Sequence, residues 1–414
     1  MRNEFSCFDV IENLAEILAT ILIRDGRNAH LCTQDWASFN KDTMQKIFSL
    51  LPLALSLTLV SPYTQLLAQD ARPTPTKLRA TIVQDLPRLL KQYNVPSASV
   101  AYIADGILAW TAVAGEQGPG VPANDHTIYN IASLTKPIVA ETILRMASQN
   151  KLQLDEPIFH YWVDPDLRGN PWNKLLTPRL CLSHQTGFAN WRRMTNGVLT
   201  FKFQPGSQSS YSGEGYFYVA RFAQNKAGQP FDRLAQQYVL GPVGVKETSF
   251  TTQTWFNDHL AQPYANDAFL PPALTSTWNA ADLVETTISD YAHFVASVMR
   301  NEGLSSAIAA ERLVLTRDWT SEDARKQVCT YETPGTACNI SAGMGLGWQI
   351  IVHNGVTIAD HSGSDTGVNT YAFFIPSKRV GAIIFTNGEN GSKVIGEIVR
   401  ALSPDPVFAA TVSH

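Results

Sequence analysis

Strand-like runs stand at both ends of this chain, and the long stretch between them has none. Near the start, Ser97-Ala98-Ser99-Val100-Ala101-Tyr102-Ile103 and residues 107–113 flank Asp105-Gly106. Two β-rich runs joined by Asp-Gly read as a hairpin. Near the end, residues 348–352, 356–359, 370–375 and 380–386 are short β runs. Asn354-Gly355 turns the first pair, and Pro376-Ser377-Lys378 the second. From about 156 to 340 the chain reads as helices and loops. The arrangement that satisfies this pattern is one antiparallel sheet built from both ends, flanked by helices and carrying an inserted, mainly helical lobe. The expected class is therefore α+β. Residues 70–414 form one domain in this reading, with a sheet lobe over about 77–140 and 345–414 and a helical lobe over about 141–344.

Helical periodicity supports that division. Apolar residues recur at helical spacing over 78–93, with Pro87 as a kink point, and over 137–150. Thr287-Ile288-Ser289-Asp290 has the form of a helix start before the amphipathic run 291–299. A last helix is expected over 392–402. Hydrophobic residues make up 44% and charged residues 16%, enough for a full core. The formal net charge of −4 gives no electrostatic footprint for nucleic acid, and the chain lacks a Lys/Arg-rich run and a glycine-rich phosphate loop.

The first 43 residues differ in character from the remainder of the chain. At Met44-Gln45-Lys46 a short basic start precedes an apolar run over 47–60, and Leu66-Leu67-Ala68 offers a small residue for cleavage. This is the layout of a secretory signal peptide. The run is short for a membrane span, which needs roughly 20 residues. Residues 1–43 are therefore read as an extension absent from the mature protein, 44–69 as the signal peptide, and the product as exported, to the periplasm or outside. Of five cysteines, Cys7 and Cys32 fall in the extension, Cys329 and Cys338 bracket a short loop and are expected to pair, and Cys181 reads as a buried thiol.

Chemistry enters at Ser133-Leu134-Thr135-Lys136. A serine and a lysine three apart meet on one face of a helical turn. The hydroxyl needs a neighbour to take its proton, and a buried lysine with a lowered pKa can do so. At a helix start, unpaired backbone N–H groups also point at an oxyanion. Pro137 places the tight entry turn, of 3₁₀ type, over 133–136 and regular helix from about 137. Alone this four-residue pattern is weak, and a helix-start serine beside a solvated lysine would look the same.

Two further stretches give it company: Phe203-Gln204-Pro205-Gly206 running into Tyr211-Ser212-Gly213-Glu214, and Asp360-His361-Ser362-Gly363-Ser364-Asp365. With Leu182-Ser183-His184-Gln185-Thr186-Gly187-Phe188 and Gly345-Leu346-Gly347-Trp348, the ordered set over about 78–402 resembles the serine β-lactamase-related hydrolases. That group contains class C β-lactamases, D-alanyl-D-alanine carboxypeptidases, D-amino-acid peptidases and esterases, and the resemblance implies a β-lactamase/transpeptidase-like fold. It further implies Ser133 as the nucleophile, Lys136 as its proton-handling partner, and Tyr211 as a general base whose pKa a nearby ammonium depresses. His361-Ser362-Gly363 would lie on the strand lining the site, with Gly363 letting substrate approach the backbone. The N–H groups of Ser133 and Ser364 would form the oxyanion hole. His184, a tempting base, is read as structural.

Two departures from the family pattern matter. Gly213 stands where an asparagine amide is usual, with Glu214 next to it, and His361 stands where penicillin-recognising forms have lysine. A histidine is mostly neutral at pH 7, so a fixed charge for a substrate carboxylate is missing unless Lys393 supplies one. Expected, then, is a monomeric serine hydrolase without cofactor or metal, acting through an acyl-enzyme on small esters, amides or peptides. The alternatives are a β-lactamase or D-alanyl-D-alanine carboxypeptidase, or a penicillin-binding sensor that never turns over.

Overall fold

The computed structural model describes residues 73–412. The extension and signal-peptide readings lie outside the described residues. Helix α1, Pro75–Tyr93, opens with Pro75 in its first turn and the Thr74 hydroxyl accepting from the Lys77 N–H. It closes on Asn94 in the left-handed conformation and carries Pro87 inside. Ile82, Leu86, Leu89 and Leu90 form its buried stripe, the spacing of one helical face.

That stripe packs on one antiparallel sheet of eight strands. In chain order these are β1 (Ser97–Ala104), β2 (Ile107–Gly118), β3 (Val121–Pro122), β4 (Ile340–Met344), β5 (Gln349–His353), β6 (Val356–Asp365), β7 (Val368–Ile375) and β8 (Val380–Thr386). Their order across the sheet is β3-β2-β1-β8-β7-β6-β5-β4. The two ends of the chain meet where β1 pairs with β8, from Ala98 opposite Thr386 to Ile103 opposite Gly381. Asp105 and Gly106 both have positive φ, 53° and 76°, as the two-residue hairpin turn requires.

Both faces of the sheet are covered, which explains why the central strands read as continuous apolar runs. Ala98, Val100 and Tyr102 of β1 face α1 together with helices α5 (Gly391–Leu402) and α6 (Pro406–Val412). Ala101 and Ile103 face the other way, into the core shared with α2 (Thr135–Ser148), α3 (Gly213–Ala227) and α4 (Ile288–Met299). Thr287 caps α4 through the Asp290 N–H, as its sequence indicates.

The structure adds what periodicity did not reveal. Strand β4 belongs to the sheet, although residues 340–344 read as part of the helical lobe. Residues Ile128–Asn130, Glu285–Thr287 and Thr248–Ser249 form a small three-stranded sheet beside the Ser133 turn. Pieces of two or three residues are too short to show an alternating pattern. Cys329 and Cys338 are bonded, and Cys181 is a buried thiol. Among the described residues no helix is long and apolar enough to cross a membrane.

Candidate active site

Ser133 sits in a 3₁₀ turn, Ala132–Leu134, that feeds α2. The regular helix begins at Thr135, two residues before the position read from Pro137. Pro137 is then its third residue, where the missing N–H has no partner to lose. Ala132 has φ +46°, a conformation that costs an L-residue about 1–2 kcal/mol. Surrounding contacts hold it. The Asn130 side-chain oxygen accepts from the Ala132 N–H at 2.6 Å, Thr370 Oγ1 donates to Ile131 O at 2.8 Å, and the Tyr291 hydroxyl donates to Leu134 O at 2.9 Å. The Ser133 turn is thus fixed by the small sheet, by β7 and by α4 at once.

Lys136 Nζ lies 2.9 Å from Ser133 Oγ and 2.8 Å from the carbonyl oxygen of Ala281. The side chain is fully buried, and this desolvation brings its pKa down to about 7 against a smaller upward pull from Asp282. A large fraction of Lys136 therefore carries a free lone pair near neutral pH. The pair has the geometry and charge state for nucleophile and base.

Tyr211 reaches the same place and requires a correction. Its hydroxyl hydrogen-bonds Ser133, its ring stacks on His184 at 4.4 Å, and Lys136 Nζ stands 4.9 Å from the ring centre. The residue as a whole is 37% exposed, so the burial acts at the hydroxyl end. That burial pushes the phenol pKa up and outweighs the Ser133 hydrogen bond, while Asp282 adds to the rise. The depressed pKa expected from a neighbouring ammonium is absent. The ammonium lies over the ring rather than at the oxygen, and it is itself half discharged. The Tyr211 hydroxyl therefore keeps its proton near neutral pH.

His184 is fully buried with φ +58°, and its Nδ1 accepts from the Ser212 N–H at 3.0 Å. It builds the platform on which Tyr211 stacks.

On β6, His361 is 3% exposed, and its Nδ1 lies 2.8 Å from the carbonyl oxygen of Ser362. That contact requires the proton on Nδ1 and leaves Nε2 as a buried acceptor with no partner among the described residues. Burial, and then the Lys136 charge, hold the imidazole pKa down to about 3. His361 supplies no positive charge at any physiological pH.

Gly363 has a different cause from the expected one. A Cβ there would stand 2.2 Å from Thr370 Oγ1, 2.5 Å from Ile131 O and 3.1 Å from the Ser133 N–H. The glycine lets the Ser133 turn touch the strand, and it is not among the cleft-lining residues. Pairing with β5 ends at Asp360, whereas pairing with β7 continues to Asp365. Residues 361–365 therefore have one edge free. Ser133, Tyr211, His361 and Ser364 line a single cleft of about 340 Å³.

Asn190 and Trp319 are among its other lining residues. Neither carried a local sequence signal. Gly213 is explained by Trp191, whose ring atoms would stand 2.9 Å from a Cβ there. Asn190 Oδ1 accepts from the Gly213 N–H at 2.9 Å. Glu214 is no substitute for the missing amide, because Arg192 holds it in a cluster with Asp164. Lys393 bonds Asn390 at 3.3 Å and is not among the cleft-lining residues.

The family model described as Beta-lactamase matches residues 80–402. A beta-lactamase of Pseudomonas fluorescens is 24% identical over 340 residues, covering 75% of this chain and 94% of its own. The D-alanyl-D-alanine-carboxypeptidase/endopeptidase AmpH of Escherichia coli K12 is 24% identical over 319 residues, covering 70% and 80%. In fold, the octameric penicillin-binding protein homologue from Pyrococcus abyssi superposes with a TM-score of 0.62 at 18% identity, covering 81% of this chain and 78% of that one.

Proposed function

The chain belongs to the beta-lactamase family of serine hydrolases, and from that premise we propose that it hydrolyses small esters or amides through an acyl-enzyme on Ser133. The observation that carries this reading is the 2.9 Å contact between Ser133 Oγ and a Lys136 amine poised near neutrality. Neutral Lys136 takes the hydroxyl proton as Ser133 attacks the carbonyl carbon. The oxyanion is received by the Ser133 and Ser364 N–H groups. Tyr211 passes the proton from Lys136 to the departing alcohol or amine. Water then repeats the sequence in reverse, and Ser133 is regenerated.

Preference for esters and amides over β-lactams rests on charge. His361 is neutral, Lys393 is elsewhere, and Asp282 lies beside Lys136. A substrate carboxylate meets no fixed cation among these groups. Export by a leader over 44–69, a single catalytic domain over 70–414 and action as a monomer belong to the same proposal.

The test compares kcat/KM for a short-chain p-nitrophenyl ester and a chromogenic cephalosporin, with Ser133→Ala as control. Serine-dependent ester turnover with slow cephalosporin turnover is expected. Fast, serine-dependent cephalosporin turnover would make the protein a β-lactamase instead.

A further inference from the structure

One buried carboxyl group near the cleft lacks a partner among the described residues. Glu285 is 5% exposed, and neither of its carboxylate oxygens meets a hydrogen-bond donor there. Leaving such a group unpaired costs free energy that folding does not recover locally. Burial accordingly pushes its carboxyl pKa well above the usual range. Yet Glu285 does not point into a sealed core. It lines a cavity of about 140 Å³, together with Asn130, Leu270, Pro271 and Asp365.

The cavity lies next to the Ser133 turn. Asn130 is paired with Glu285 across the small sheet, and its side-chain oxygen holds the Ala132 N–H next to the nucleophile. Asp365 directly follows Ser364, which lines the cleft, on the strand segment with a free edge. Asp365 adds to the charging cost of buried Asp282, against a larger opposing pull from Lys136. Among the described residues, no lysine, arginine or histidine lines the cavity.

We propose that this cavity is a subsite for a positively charged group of the substrate, an ammonium, received by Glu285 and Asp365. The inference rests on the hydrolase reading and deepens it by naming the substrate class as amine-bearing esters, amides or peptides. An ammonium carries three donors and no acceptor, and so suits two carboxyl groups without counter-charge. Leu270 and Pro271 give the cavity apolar walls for an alkyl stem. The cavity admits a primary amine on a short alkyl stem. On entry the cation offsets the charge of one of the two carboxylates.

The experiment measures binding of n-butylammonium and of 1-butanol to the full chain by calorimetry, together with kcat/KM for a p-nitroanilide bearing a free α-amine and for its N-acetyl counterpart. Expected are tenfold or tighter binding of the amine over the alcohol and a preference of at least tenfold for the free-amine substrate. Both differences should vanish in Glu285→Gln and shrink in Asp365→Asn, while turnover of the N-acetyl substrate changes less than threefold. Asp365 is exposed, so its variant reports even where Glu285→Gln folds poorly. Equal binding of amine and alcohol, or binding of Ca²⁺ without binding of the amine, would overturn the subsite. Amine binding without Ser133-dependent turnover of any substrate would sink the hydrolase reading and leave the subsite standing.

Discussion

Lys136 Nζ is held between two oxygens, Ser133 Oγ at 2.9 Å and Ala281 O at 2.8 Å, inside a fully buried pocket. The amine is thereby oriented at the nucleophile while its charge is suppressed. Replacing Ser133 removes the reacting atom and leaves this frame in place. Ser133→Ala should lower kcat by a factor on the order of 10⁶, as loss of a nucleophile does in other serine hydrolases. Stability should change by only about 0.5–1.5 kcal/mol, one hydrogen bond's worth. Full activity in the alanine variant would refute the mechanism.

Lys136 sets the pH dependence. With its pKa at about 7, the deprotonated, active form gains population as pH rises, so kcat/KM should climb through pH 7 and then level. The same shift costs stability. A lysine titrates near 10.4 when unfolded, so the penalty appears as pH falls below that value and is complete below 7. It amounts to roughly 5 kcal/mol from about 1.4 kcal/mol per pKa unit. Lys136→Met should therefore raise Tm at pH 6 while abolishing turnover, a combination read by calorimetry beside the ester assay.

Tyr211→Phe keeps the stack on His184 and removes only the hydroxyl. Because burial raises this phenol, its ionisation does not govern the rate below pH 9. The variant should lose about 10²-fold in kcat, the scale of one proton-transfer group. The inflection of its pH–rate profile should stay near 7. An inflection that disappears with the hydroxyl would assign the base to Tyr211.

Gly363 is the tightest contact between strand and nucleophile. The added methyl of Gly363→Ala must displace Thr370 Oγ1 and Ile131 O, both backed by packed structure. Overpacking of this kind costs about 1–3 kcal/mol. Thermal melts should report that loss, and kcat should fall as the Ser133 turn shifts. A similar clash explains why Gly213→Asn should be tolerated only together with Trp191→Ala, so that the two effects do not add.

Asp360 offers a test of buried charge away from the cleft. It bonds the Tyr371 hydroxyl at 2.5 Å, and burial pushes its carboxyl up to about 7. A carboxyl raised in this way favours the fold when protonated, below about pH 4, and that contribution is lost as pH rises through 7. The advantage of Asp360→Asn over wild type should therefore grow between pH 5 and 7.5, toward an order of 4 kcal/mol. A difference that stays flat with pH would contradict the raised value.

The sequence by itself determined the α+β plan and singled out Ser133 and Lys136 as the candidate acyl-transfer pair. Sheet strands at both ends follow from long apolar runs and from two turn dipeptides, Asp105-Gly106 and Asn354-Gly355, whose conformational demands are local. Ser133 and Lys136 sit three residues apart, so one helical turn suffices to join them. Tertiary structure decided everything that depends on burial or on distant neighbours. The amine of Lys136 is discharged by the protein packed around it, and the same burial pushes Tyr211 in the direction opposite to that expected from a pairwise charge argument. Gly363 was legible as a glycine but not for its reason, which lies in Thr370 and Ile131. Asn190 and Trp319 reach the cleft, Ala281 reaches Lys136 and Glu285 reaches the neighbouring cavity through folding alone, because groups scattered over the helical lobe become neighbours only when the sheet from the two ends closes beneath it.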